Sequence, residues 1–241
     1  MRAQLGRVPD EDEQVILQYD VITHGQVYII SRELPEITGA DLKTYAKEID
    51  ISMAKEWTSW NDHHSFIPIL RNKAVNVIDA RWLHKWKIVD GKKVIKSRLC
   101  VRGFKDQQDH VTTSASTAAR WTQRMVCSVA ANHGWKISIA DVNAAFLKGM
   151  SFEEMAKILG EKLRVVHLNP PKGSWTFLST YAIMKGCGEA THALGLCKGV
   201  YGLKDAPRAW RIKLDRLLRE LGSNPMKSDP CLCGMTNQAN C

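Results

Sequence analysis

A carboxylate at the end of an apolar alternation is the first place where this sequence could do chemistry. Trp135, Ile137 and Ile139 alternate with Lys136, Ser138 and Ala140, and Asp141 continues the apolar parity. That pattern predicts a strand whose buried face ends in Asp141. A carboxylate there needs a hydrogen-bond partner, an ion pair or a cation. Two readings stay open on pattern alone: a strand-end Asp that caps the next turn, or a residue that holds a cation. Phe146 and Gly149 follow in the same run.

A second run, Tyr201 to Trp210, leads into a helix. Gly202 lets the backbone approach a partner closely, Lys204 presents a cation from the same turn, and Pro207 suits a first helical turn. It is not a P-loop, because the Gly-x-x-x-x-Gly-Lys-Ser/Thr spacing is absent. A third candidate is basic. Ala80–Val89 and Val94–Gly103 flank Asp90-Gly91, which predicts a hairpin, with Arg81, Lys85 and Lys87 on one arm and Lys96, Arg98 and Arg102 on the other. These cations form either a solvated sheet face or a surface laid over phosphates.

The elements that must position these residues are legible in part. Ala118–His133 is expected as a helix with Trp121, Met125 and Val129 as a core stripe and Gly134 as its stop. The helix after Pro207 is expected to bury Trp210, Leu214, Leu217, Leu218 and Leu221 and to end at Gly222. Phe66–Ile69 and Val75–Ile78 are strand-like. Further upstream, Val15–Tyr19 and Gln26–Ile30 read as short strands around His24-Gly25, after a solvated acidic turn at Asp10–Glu13. Asp41 is a candidate N-cap for a helix carrying Leu42, Tyr45, Ala46 and Ile49 on one face. Within 150–198, Glu153-Glu154 begins a short helix and Asn169–Gly173 is a turn, while Ser174–Ala193 stays open between helix and loop. His167 and His192 read as structural.

Bulk properties bound the function. The 241 residues carry a formal charge of +9 and are 44% hydrophobic, which fits a globular protein with a polyanionic partner. Seven cysteines without Cys-x-x-Cys spacing indicate reduced thiols in an intracellular protein, and the Cys231-x-Cys233 spacing argues against zinc. No apolar run approaches a membrane span, and no signal peptide opens the chain. Nothing in the pattern indicates an oligomeric state.

In their order, these motifs resemble a copia-type retrotransposon reverse transcriptase. The resemblance rests on Arg81–Lys87, Lys96–Phe104, Asp141–Gly149, Gly199–Trp210 and the tail Lys227–Leu232. It implies an α+β fold, the fingers and partial palm of a right-hand polymerase, with an antiparallel sheet and packed helices over residues 61–241. Residues 1–60 form an N-terminal region of uncertain structure. It further implies that Asp141 is the first catalytic, metal-binding palm carboxylate, with Mg²⁺ as the metal. Phe146 would select deoxynucleotides; Lys96, Arg98 and Arg102 would contact triphosphate or template; Tyr201, Gly202, Lys204 and Pro207 would pack on the nascent pair. The implied partners are an RNA or DNA primer–template and dNTPs.

The chain departs from the pattern in three places. Asp205 stands where the family commonly has Gln, and the segment between Gly149 and Gly199 matches poorly. The Tyr-x-Asp-Asp box is absent, and no Asp-Asp pair occurs in the 241 residues. These residues alone are therefore expected not to polymerise. A non-catalytic nucleic-acid-binding remnant that uses the basic hairpin is the alternative.

Overall fold

The computed structural model describes residues 16–19, 27–30, 36–89, 92–108 and 111–235, the first two stretches as backbone. In chain order the elements begin with β1 (Ile16–Tyr19), β2 (Val27–Ile30), α1 (Ala40–Thr44), α2 (Ala46–Asp62), β3 (Phe66–Leu70), β4 (Val77–Val89) and β5 (Lys92–Val101). They continue with α3 (Arg120–His133), α4 (Phe152–Leu159), β6 (His167–Asn169), α5 (Trp175–Leu178), β7 (His192–Leu196), α6 (Ala206–Glu220), β8 (Ser223–Pro225) and β9 (Cys233–Met235). The result is a mixed α+β protein. It divides into two compact units, Met1–Ser52 with Leu83–Ser97, and Met53–Trp82 with Arg98–Cys241.

In the first unit β1 and β2 pair antiparallel, as the two short strands predicted there. Gly39 rather than Asp41 stands at the N-cap of α1, and Asp41 lies in the first turn, where its charge favours the helix dipole. Tyr45 meets Trp86 edge-on at 4.9 Å, and the Ser97 amide donates to Ser52 Oγ at 2.7 Å. The acidic turn Asp10–Glu13, His24-Gly25 and the Asp90-Gly91 turn lie outside the described residues.

The second unit holds the main sheet, in the order β3-β7-β6-β4-β5. β3–β7 and β6–β7 are antiparallel, but β4–β6 is parallel. The sheet is thus mixed rather than antiparallel. β6 follows a long excursion through α3 and α4, which gives the chain room to return beside β4 in the same direction. The core lies against this sheet and includes the fully buried Trp57, Trp60, Ile78, Leu99, Leu147, Leu168 and Leu194. Trp57 meets Trp60, Phe66 and Trp82 edge-on, with centroids 5.5, 5.9 and 6.1 Å away. α2 therefore runs well past Ile49, where the sequence reading stopped. Ser174–Ala193, left open above, contains the short α5 and the start of β7.

Two expectations fail in the region around Asp141. Residues 135–140 form no strand, and Trp135, Ile137 and Ile139 are exposed, Ile139 at 94%. The α3 stripe is open as well: Trp121, Met125 and Val129 are exposed, and the helix buries Thr122 and Ala130 instead. A strand exists through the bonds of a partner strand, and among the described residues none pairs with 135–140. Alternation tells which face would be covered, not what covers it. α6 is also rotated from expectation. It buries Ala206 and Ala209, with Ala209 against Met150 and Met155, and leaves Leu217 and Leu221 exposed.

α4 has the local signal it needs. Ser151 Oγ accepts from the Glu154 amide at 3.1 Å, and Glu154 Oε2 accepts from the Ser151 amide at 2.8 Å, a reciprocal capping box. Asp229 serves α3 from across the fold. Its Oδ2 accepts from the Ala119 amide at 3.0 Å and from Thr122 Oγ1 at 2.6 Å, where Ala119 itself has no side chain to cap with.

Candidate functional site

The site is built where the end of β5 meets the turn before α6. Strand parity turns Leu99 and Val101 into the core and leaves Arg98 on the open side. The Val101 amide donates to the Tyr201 carbonyl at 2.8 Å. Gly202, at φ 96°, lies so close that a Cβ there would sit 2.1 Å from the Val101 carbonyl oxygen. From the other side, a Cβ on Gly103 would sit 2.2 Å from the Gly202 carbonyl oxygen. Two glycines thus let two backbone segments cross in contact. The close approach inferred for Gly202 is real, and the backbone it approaches is this chain's own.

That crossing sets three side chains together. The Arg98 guanidinium lies 4.6 Å over the Tyr201 ring, and Phe146 packs on the same ring at 5.3 Å. Phe146 is carried by a 3₁₀ turn, Ala145–Lys148, which the left-handed Ala144 (φ 54°) introduces and which drives Leu147 into the core. Asp141 is exposed, just upstream of this turn. Burial pushes the Tyr201 phenol above its ordinary pKa. Arg98 offsets part of that rise, and Glu56, Cys100 and Asp141 add to it by their negative charge. Arg98, Tyr201 and Phe146 are therefore neighbours, and Asp141 lies near enough for its charge to act on Tyr201.

The remaining predicted residues are occupied differently. Arg102 Nε donates to Asp79 Oδ1 at 2.7 Å and Lys105 Nζ to Asp79 Oδ2 at 2.9 Å. Burial would raise the Asp79 carboxyl, but these cations outweigh it and hold it below its ordinary pKa. Lys204 Nζ points inward, donating to the Gln108 carbonyl at 2.5 Å, with Asp106 3.7 Å away. Pro207 sits half-buried in the first turn of α6. Lys96 lies exposed in the part of β5 that belongs to the first unit. His167 is buried with Nδ1 bonded to the Val75 backbone, and His192 Nδ1 bonds Thr191 Oγ1 at 2.8 Å, so each is held by its neighbours.

Sequence reasoning missed a buried ionic cluster beneath the Tyr201 turn. Arg164 Nε donates to Asp205 Oδ2 at 2.8 Å, and its Nη2 pairs with Asp106 Oδ2. Burial would raise the Asp106 carboxyl, but bonds from Arg164 and Asn76 hold it at about 2. Asp205, one of the departures from the family pattern, is buried. No local signal could have found Arg164, since the cluster unites residues from distant parts of the chain.

The model of the family described as reverse transcriptase (RNA-dependent DNA polymerase) matches residues 66–239. Among curated proteins, the chain is 29% identical over 163 residues to the retrovirus-related Pol polyprotein from transposon RE2 of Arabidopsis thaliana, covering 66% of this chain and 10% of that protein. It is 28% identical over 162 residues to the polyprotein from transposon RE1 of the same plant, again 66% of this chain and 10% of that one. The polyprotein from transposon TNT 1-94 of Nicotiana tabacum is 25% identical over 185 residues, 75% of this chain and 12% of that protein. The chain thus spans about a tenth of the length of these relatives. No solved structure matches it.

Proposed function

Because the chain belongs to the reverse transcriptase (RNA-dependent DNA polymerase) family, as found in copia-type retrotransposon polyproteins, we propose that residues 61–241 supply its fingers and the first part of its palm. In this role they bind a primer–template and an incoming dNTP. The observation that carries the proposal is the cluster in which Arg98 lies over the Tyr201 ring and Phe146 packs on that ring. A guanidinium over an aromatic ring offers one face to a base and its donors to a phosphate. Phe146 is proposed, from its match to the family motif, to crowd a 2′-hydroxyl; its packing on Tyr201 supports that role. Lys96 adds a cation on the exposed side of β5, while Gly202, Lys204 and Pro207 shape the turn that carries Tyr201.

Reverse transcriptases use divalent metal, and Asp141 is the residue proposed to ligate Mg²⁺. The described residues do not form a complete metal site. No group of three or more His, Cys, Asp or Glu among them could hold an ion; Asp141 would supply one carboxylate, and waters and substrate phosphates would have to complete the octahedral oxygen shell of Mg²⁺. The proposal assigns the described residues binding and positioning, with Asp141 as the metal-facing carboxylate. No helix among the described residues is long and apolar enough to cross a membrane.

The test is primer extension by the 241-residue chain with template, Mg²⁺ and dNTPs. No extended product is expected; extension that Asp141→Asn abolishes would show that these residues complete the chemistry themselves. Binding is measured in parallel, by anisotropy of a labelled primer–template across a salt series. Arg98→Ala should lower the salt slope by roughly one counterion. Arg102→Ala should change it less, because Asp79 already neutralises that cation. Equal effects of the two changes would remove the Arg98 stack from the interface.

A further inference from the structure

Arg164 lies in the segment that the family motifs cover least, yet it is the best-connected charge among the described residues of the second unit. Its side chain is 7% exposed. Nε and Nη2 reach the Asp205 carboxylate at 2.8 and 3.4 Å. Nη1 reaches Asp106 Oδ1 at 3.2 Å and Gln108 Oε1 at 2.5 Å, and Nη2 pairs with Asp106 Oδ2. Asp106 also accepts from Asn76 Nδ2 at 3.0 Å and from the Gln108 amide at 3.1 Å. The Gln108 carbonyl in turn takes the Lys204 ammonium at 2.5 Å. A planar fork with fixed donor directions does what a lysine could not: it holds two carboxylates from different segments at a set separation.

Those segments are the turn after β5 and the turn before α6, the same two that cross at Gly103 and Gly202. The glycines hold the crossing on the Val101 side, and Arg164 holds it through Asp205, next in sequence to Lys204. We infer that Arg164 is a positioning residue: through Asp205 and Asp106 it sets the Tyr201–Asp205 turn so that the Tyr201 ring meets Arg98 and Phe146. This rests on the proposed role of that turn at the nucleotide and template surface. A buried Asp is tolerable at position 205 because Arg164 supplies the matching charge.

The experiment is NMR on the full 241-residue chain with labelled tyrosine rings, the Tyr201 signal being assigned by Tyr201→Phe. Arg98→Ala gives the reference position of a ring without its stack. Two variants are compared with the parent. Asp205→Asn leaves the Arg164–Asp106 pair intact; Arg164→Met with Asp106→Asn and Asp205→Asn removes all the charges together, so that none is left buried alone. In both, the Tyr201 ring signal should move toward the Arg98→Ala reference. The Val101 amide should exchange about tenfold faster, while amides of β3 and β7 keep their protection. A purely structural ion pair would instead change protection uniformly and leave the ring signal in place. Unchanged ring and Val101 signals in Asp205→Asn overturn the inference, and that variant decides alone should the triple one fail to fold. No nucleic acid enters the measurement, so its failure is separate from a failure of the proposed binding role.

Discussion

Around Arg164, charged side chains are buried and answered by partners; around Asp141, apolar side chains lie open to water. Asp106, Arg164 and Asp205 come from distant parts of the chain and are almost wholly excluded from solvent. Trp121 in α3 and the alternating Trp135, Ile137 and Ile139 after it are large and apolar, yet each is more than half exposed. Composition alone would have exchanged the two environments. Burial follows from having a partner of the right chemistry in place, and a hydrophobic residue without one remains outside. The side that supports the Tyr201 turn is complete within these residues, whereas the side that presents Asp141 is not packed.

The sharpest way to break this contrast is Arg164→Met. It removes the cation shared by two buried carboxylates, leaving Asp106 with Lys204 at 3.7 Å, and should cost about 3–5 kcal/mol in urea unfolding. A loss below about 1 kcal/mol would mean the cluster is solvated and the two regions are alike. Acid offers a second route. The Asp106 carboxyl is held at about 2, below its ordinary 3.8. Its folded pKa is depressed, so its contribution is fully present above about pH 4 and is lost as pH falls toward 2, amounting to roughly 2 kcal/mol. Stability measured against pH should show that fall in the parent and lose it in Asp106→Asn.

Gly202→Ala sharpens the comparison at the backbone crossing. With φ at 96° and the Val101 oxygen 2.1 Å from the new Cβ, it should cost more than about 1 kcal/mol and displace the Tyr201 ring. The smallest effect is expected on the open side. Ile139→Lys should alter unfolding free energy by no more than about 0.5 kcal/mol, while lowering the binding of a hydrophobic dye. A loss above 1 kcal/mol there would show that 135–140 is packed after all.

How much was legible depends on the range of the interaction. The two strands of the basic hairpin, the Pro207 helix start and the short helix at Glu153-Glu154 are local, and each appears where its residues imply. Phe146 and Tyr201 were singled out by resemblance, and they do meet. The readings that failed depend on neighbours. The apolar stripe of α3 and residues 135–139 have strong periodicity but lie exposed, α6 turns its alanines inward, and β4–β6 pair in parallel. Periodicity predicts a face, whereas burial needs a second surface.

By itself, the sequence determined the motifs, their order and the elements whose signals lie within a few residues: turns, caps and glycines free of side-chain constraint. Tertiary structure alone decided what each of those features serves. It made Gly202 a backbone crossing against Val101, turned Lys204 inward and gave Arg102 to Asp79. It also brought Arg164 between two carboxylates far from it in the chain. The physical reason is that a charge or a carbonyl acts over a few ångströms of space, and which groups share that space is settled only when the chain has folded.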